Sequence, residues 1–186
     1  MSHIWLIFVL SKMPQVILIG PPGAGKTSVG KALGQRLSAE FADTDALIEK
    51  ESGMRVSDIF TDKGEPFFRE LEREIVLREL SSFNGVLALG GGAVINVEVE
   101  EALRDSSDPI CFLDVSLASA APRIGFNRDR PLLLGNPRAK WQELMNVRRP
   151  IYEALATLTV STDSRTPSQI AQEISVFLSK SKEVNS

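Results

Sequence analysis

Gly20-Pro21-Pro22-Gly23-Ala24-Gly25-Lys26-Thr27 carries the clearest chemistry in the chain. Its spacing is G-x-x-x-x-G-K-[ST], and each part has a task. Glycines let the backbone curl around one anion and aim successive N–H groups at it. A helix starting at the end of the loop adds the partial positive charge of its N-terminus. The Lys26 ammonium reaches the outer phosphates of a nucleotide, and the Thr27 hydroxyl is a hard-oxygen ligand of the kind Mg²⁺ takes. A nucleoside triphosphate with Mg²⁺ is the expected ligand. The context is the one this chemistry needs. Residues 15–19 (QVILI) precede the loop as a buried strand, and Val29, Leu33 and Leu37 follow it at helical spacing.

Asp43-Thr44-Asp45 stands 17 residues beyond Lys26, at the end of a second short strand. Ligands of open α/β sheets gather at the carboxyl ends of strands, so both acids are expected to face the same crevice as the loop. One can hold the water shell of a metal ion. The other can orient a substrate hydroxyl and take its proton late in transfer. An ordinary Asp, with a pKa near about 3.9, is a weak base, but phosphoryl transfer rests mainly on positioning and charge neutralisation. Capping of the next helix is the structural alternative for either acid. Gly90-Gly91-Gly92 follows a third strand, where it either opens the backbone to a ligand or makes a tight turn. Arg69 has Glu65 at i−4 and Glu72 at i+3, the spacing of a surface ion pair. From Arg123 to Arg149 there are seven basic residues (Arg123, Arg128, Arg130, Arg138, Lys140, Arg148, Arg149) and two acids, a local charge of +5 in a chain of net charge −3. Such a stretch, with Pro and Gly within it, suits closure over a polyanion; a solvated basic face is the plainer reading.

Strands alternate with helices along the elements that must position these groups. Strands are expected near 15–19, 41–43, 86–89, 110–115 and 157–160. Helices are expected over 28–37, 46–52, 56–60, 65–80, 98–104, 117–125 and 139–155, the last broken or kinked at Pro150, and from Pro167 to about Leu178. That order predicts a three-layer α/β/α sandwich around a five-stranded parallel sheet. At 186 residues, with 43% apolar and 24% charged side chains, the chain is one ordinary domain. We expect an extension over residues 1–12, a single domain over 13–179 with a lid near 126–138, and a frayed tail over 180–186. The apolar run at 4–10 is too short to span a membrane and lacks the flanks of a signal peptide. His3 is the only histidine and Cys111 the only cysteine. A Ser-His-Asp triad, a Cys-His pair and a Cys-rich zinc site are therefore excluded, and a reducing, cytoplasmic setting is expected. The acidic balance argues against nucleic acid as a partner.

The ordered set GPPGAGKTS (20–28), DTD (43–45), GEPFFRELE (64–72), LGGGAV (89–94), RPLLLG (130–135), RRPIY (148–152) and RTP (165–167) resembles the shikimate kinase family, from Met13 to about Ser179. The resemblance implies a nucleoside-monophosphate-kinase-like fold. It also implies transfer of the γ-phosphoryl of ATP to the 3-hydroxyl of shikimate, by a chain expected to act as a monomer. Carried over by position, Gly23, Ala24, Gly25, Lys26, Thr27 and Ser28 hold the ATP phosphates. Thr27 meets Mg²⁺, and Asp43 touches it through water. Asp45 binds the shikimate hydroxyls and accepts the proton. Arg69 and Arg148 grip the carboxylate, with Gly91 adding backbone contact and Glu72 fixing Arg69. Arg130 is the lid arginine that joins Lys26 and Asp45 in catalysis, and Arg123 and Arg165 lie at the adenine. The extension and the Pro21-Pro22 pair depart from the family pattern. Rivals are another small-molecule kinase of this fold, such as a gluconate kinase, and a non-catalytic binding protein; the presence of Lys26, Asp45 and Arg130 argues against the second.

Overall fold

A strand that is apolar at every position is stable only with both faces covered. Val16–Ile19 (β1) reads VILI, and all four side chains are buried. In this computed structural model, which describes residues 16–124 and 136–184, β1 lies at the centre of a five-stranded sheet of order β2-β3-β1-β4-β5. The other strands are β2 (Glu40–Asp43), β3 (Gly85–Ala88), β4 (Ile110–Asp114) and β5 (Leu158–Ser161), and every pairing is parallel. Helices α1 (Lys26–Leu37), α2 (Thr44–Ser52), α3 (Val56–Asp62), α4 (Glu65–Ser82), α5 (Val97–Asp105), α6 (Leu117–Ile124), α7 (Pro137–Leu155) and α8 (Pro167–Val184) flank the sheet, with a 3₁₀ turn at Ala93–Ile95. The expected α/β/α architecture is the one found.

Register decides what the sheet can build. Asp43 pairs with Ala88, and Leu18 pairs with Ala88 from the other side. The carboxyl ends of β1, β2 and β3 are therefore level, so the phosphate loop, the DTD acids and the triple glycine leave the sheet together. The main core covers both sheet faces. A smaller core of Ile48, Ile59, Phe68 and Ile75 joins α2, α3 and α4, with the Phe60 and Phe68 rings 4.6 Å apart. That satellite fixes the start of α4, where Arg69 stands.

Three details differ from expectation. β3 spans Gly85–Ala88, one residue earlier than the expected 86–89. The closing helix runs to Val184, beyond Leu178. The third concerns α7, which passes through Pro150 without interruption. Proline removes one donor and leaves the Asn146 carbonyl without its helical partner. Pro150 and Asn146 are both exposed, so water can serve that carbonyl. The opposite face, Trp141, Met145, Arg148, Tyr152 and Leu155, is buried and holds the helix in place. The expected extension over 1–12, and Arg128, Arg130 and most of the expected lid, lie outside the described residues.

Candidate active site

Positive φ at Gly23 (84°) turns the loop between β1 and α1, a conformation side chains rarely adopt. Gly25 caps α1 without a side chain, and the first turn of α1 holds no acid. The helix start is therefore left open to an external anion. Lys26 Nζ donates to the Gly20 and Pro21 carbonyls at 2.8 and 3.2 Å, folded over the loop. Thr27 and Ser28 are exposed, while the Ala24 side chain is buried against the core.

Thr27 Oγ1 donates to Asp43 Oδ2 at 2.6 Å, joining the first turn of α1 to the end of β2. The other oxygen, Oδ1, accepts the Asp45 N–H at 3.1 Å and caps α2. Capping and a place beside the loop thus fall to one residue. The buried Thr44 between the two acids accepts the Gly90 N–H at 2.9 Å and locks the DTD turn to the triple glycine. A side chain there would have to displace charged groups of the cavity. A Cβ on Gly90 would stand 2.6 Å from Asp45 Oδ1 and from Glu72 Oε1, and one on Gly92 would run into the Arg69 guanidinium. The missing side chains are what let an acid and an arginine lie across this backbone.

Arg69 Nη1 donates to Glu72 at 2.6 Å, and its Nε and Nη2 donate to Glu65 at 3.2 and 3.1 Å. Burial pushes the Glu72 carboxyl above its ordinary range, against the pull of Arg69. Arg148, only 3% exposed, reaches the same spot from α7, donating from Nη1 to the Gly91 carbonyl at 3.1 Å. The Tyr152 hydroxyl donates to that carbonyl as well, at 2.5 Å, and burial raises its pKa to about 12. Burial lowers the pKa of Arg148, with Arg69 among the lesser causes, and its Nε has no partner among the described residues. Two guanidinium groups at one spot, one with a buried donor that no described residue accepts, can take a carboxylate or another small anion.

Asp43, Asp45, Arg69 and Arg148 line one cavity of about 590 Å³ together with Thr27 and Gly91. Arg123, on α6, donates to the Gly23 carbonyl at 2.9 Å and so touches the phosphate loop. Arg165 stands apart from the cavity, donating to Glu173 at 2.6 Å and to the Ser161 carbonyl at 3.1 Å. The basic stretch is not one open face. Lys140 pairs with Glu143, Arg149 pairs with Asp114 and Glu153, and Arg148 is buried. Sequence reasoning missed Thr44, Tyr152 and Trp141, whose indole N–H donates to the Pro22 carbonyl at 2.9 Å. Trp141, Arg148 and Leu155 recur every seven residues, which was the available signal that one helix face turns inward.

Comparison with known proteins agrees with this arrangement. A model of the shikimate kinase family matches residues 22–179. The chain is 51% identical to a shikimate kinase of Thermobifida fusca over 165 residues, covering 89% of this chain and 95% of that one. It is 49% identical to one of Salinispora arenicola, covering 89% and 98%. Among solved structures, the shikimate kinase of Acinetobacter baumannii in complex with shikimate superposes with a TM-score of 0.87 at 33% identity, covering 92% of this chain and 96% of that one. A gluconokinase from Sinorhizobium meliloti shares the fold at a TM-score of 0.58 and 19% identity, covering 93% and 95%. The chain belongs to the shikimate kinase family, ATP-dependent kinases that phosphorylate a hydroxyl of shikimate.

Proposed function

We propose that this chain transfers the γ-phosphoryl of ATP to the 3-hydroxyl of shikimate. The observation that carries the reading is the single cavity in which Thr27 and Asp43, beside the phosphate loop, share walls with Asp45, Arg69 and Arg148. Shikimate is a compact ring acid with several hydroxyls, so it needs cations at one end and an acceptor at the other. Arg69 and Arg148 bind the carboxylate by charge-assisted hydrogen bonds, and Gly91 borders the same end. Asp45 orients the acceptor hydroxyl. Loop amides from Gly23 to Ser28 and the Lys26 ammonium hold the phosphates. Arg123 and Arg165 serve the adenine end, and Arg130 the transferred phosphoryl.

In the step itself the acceptor oxygen forms a bond to the γ-phosphorus as the bond to the β–γ bridging oxygen breaks. The hydroxyl proton passes to the Asp45 carboxylate and then to water. ADP and shikimate 3-phosphate leave. Thr27 and Asp43 supply two hard oxygens 2.6 Å apart, and the described residues hold no cluster of three or more acidic, histidine or cysteine ligands. That donor set fits Mg²⁺, which keeps most of its shell in water and phosphate oxygens and neutralises phosphate charge when bound. Action as a monomer and a cytoplasmic setting belong to the same reading. Among the described residues no helix is long and apolar enough to cross a membrane. Cys111, the single thiol, is buried, and burial pushes its pKa to about 12.

The test couples ADP release to a reporter. With Mg²⁺ and ATP, shikimate should drive turnover in the native chain. Asp45→Asn should abolish it while ATP still binds, because the phosphate cradle is untouched. Near-native turnover in that variant removes Asp45 from its role.

A further inference from the structure

The proline pair in the phosphate loop carries a consequence for which amides can meet a phosphate. Neither Pro21 nor Pro22 has an N–H. The Ala24 N–H is spent within the loop, on the Pro21 carbonyl at 3.2 Å. From Pro21 to Ala24 this leaves one donor, the Gly23 N–H, which no described residue accepts. Its direction is not free. No described peptide bond is cis, and a trans peptide is planar, with its C=O and N–H pointing opposite ways. Whatever holds the Pro22 carbonyl therefore aims the Gly23 N–H.

Trp141 holds it. The indole Nε1–H donates to the Pro22 carbonyl at 2.9 Å, from a side chain 3% exposed. The preceding peptide, between Pro21 and Pro22, is packed as well. A Cβ on Gly91 would stand 3.1 Å from Pro22 Cδ, so the proline ring lies against the triple-glycine backbone. Behind it, Gly23 packs on α6, where an added Cβ would meet Ala120 and Ile124 at 3.1 Å, and its carbonyl accepts from Arg123. A buried indole is geometrically stiff, and a tryptophan N–H donates in one direction only.

We infer that Trp141 is a positioning residue for nucleotide binding, which fixes the Gly23 amide for the phosphates of ATP through its bond to the Pro22 carbonyl. The inference rests on the proposed kinase activity. It adds a role for a residue on the helix that also carries Arg148, seven positions on along the same buried face.

Replacing Trp141 by β-(3-benzothienyl)alanine tests it in the full-length chain, since sulfur takes the place of the indole N–H and the ring keeps its size. The KM for ATP and the Kd for MgADP should rise about three- to tenfold, the worth of one hydrogen bond, while the KM for shikimate stays within twofold. Trp141→Phe, which also opens a gap, should show the same split between the two KM values. A rise in the ATP values of less than threefold, or an equal shift in both KM values, overturns the inference. The native chain is assayed alongside. Native turnover with an unaffected analogue refutes the role of Trp141 alone, whereas a native chain without turnover refutes the kinase reading.

Discussion

At the scale of the residue, the site is decided by which charges are buried and which are paired. Arg148 is nearly inaccessible, is bound to the Gly91 carbonyl, and keeps one donor that no described residue accepts. A hydrogen bond to a charged group is worth about 1.5–3 kcal/mol, so Arg148→Ala should raise the KM for shikimate by about one to two orders of magnitude. Steady-state kinetics at saturating ATP checks this, and an unchanged KM removes Arg148 from the substrate site. Glu72 offers a test through pH. Burial lifts its folded pKa above its ordinary value near 4.5, and Arg69 only partly offsets that. The folded chain then binds this proton more tightly than the unfolded chain. The stability Glu72 contributes is complete below about 4.5 and is lost as pH rises through the folded pKa. The melting midpoint of the native chain, taken relative to Glu72→Gln, should therefore fall as pH rises through that window. A rise would mean that the pair with Arg69 outweighs desolvation. Both the phosphate loop and the Arg69–Glu72 pair were legible in the sequence, because each is contiguous or one helical turn apart. Thr44 was not, since its partner Gly90 lies 46 residues away.

At the scale of the element, α7 ties two loops together. Trp141 holds Pro22, and Arg148 and Tyr152 both hold the Gly91 carbonyl, all from one buried face. Tyr152→Phe deletes one of these ties without a change of volume. A loss of about 0.5–1.5 kcal/mol is expected, which for a chain of this size lowers the melting midpoint by about 1–6 °C. Differential scanning calorimetry reads the shift, and an unaltered midpoint would show that Arg148 alone suffices. Of the break or kink expected at Pro150, the break is absent, for a reason that belongs to this scale. A proline costs a helix most where the orphaned carbonyl is dry, and Asn146 lies on the exposed side of α7. Periodicity located α7, but which of its faces meets solvent is a property of the packed molecule.

At the scale of the whole molecule, the fold does not choose the substrate. A gluconokinase shares the architecture at 19% identity, so discrimination must come from the cavity walls. Those walls present two arginines, two glycines and two aspartates, Arg69, Arg148, Gly91, Gly92, Asp43 and Asp45. Turnover should therefore be at least about tenfold greater in kcat/KM with shikimate than with gluconate, the effect of losing one well-placed polar contact. Parallel ADP-release assays measure the ratio, and equal rates would make the walls unselective.

By itself the sequence determined the strand–helix alternation, the phosphate loop and the types of residue a carboxylated alcohol requires. Hydrophobic period and local motif are short-range properties of the chain. Tertiary structure decided the rest. Level strand ends bring Asp43 and Asp45 to the loop, and missing side chains at Gly90 and Gly92 admit Asp45 and Arg69. The inward face of α7 delivers Arg148 and Trp141. These juxtapositions join residues far apart along the chain, and strand register and helix packing fix them, neither of which any single segment encodes.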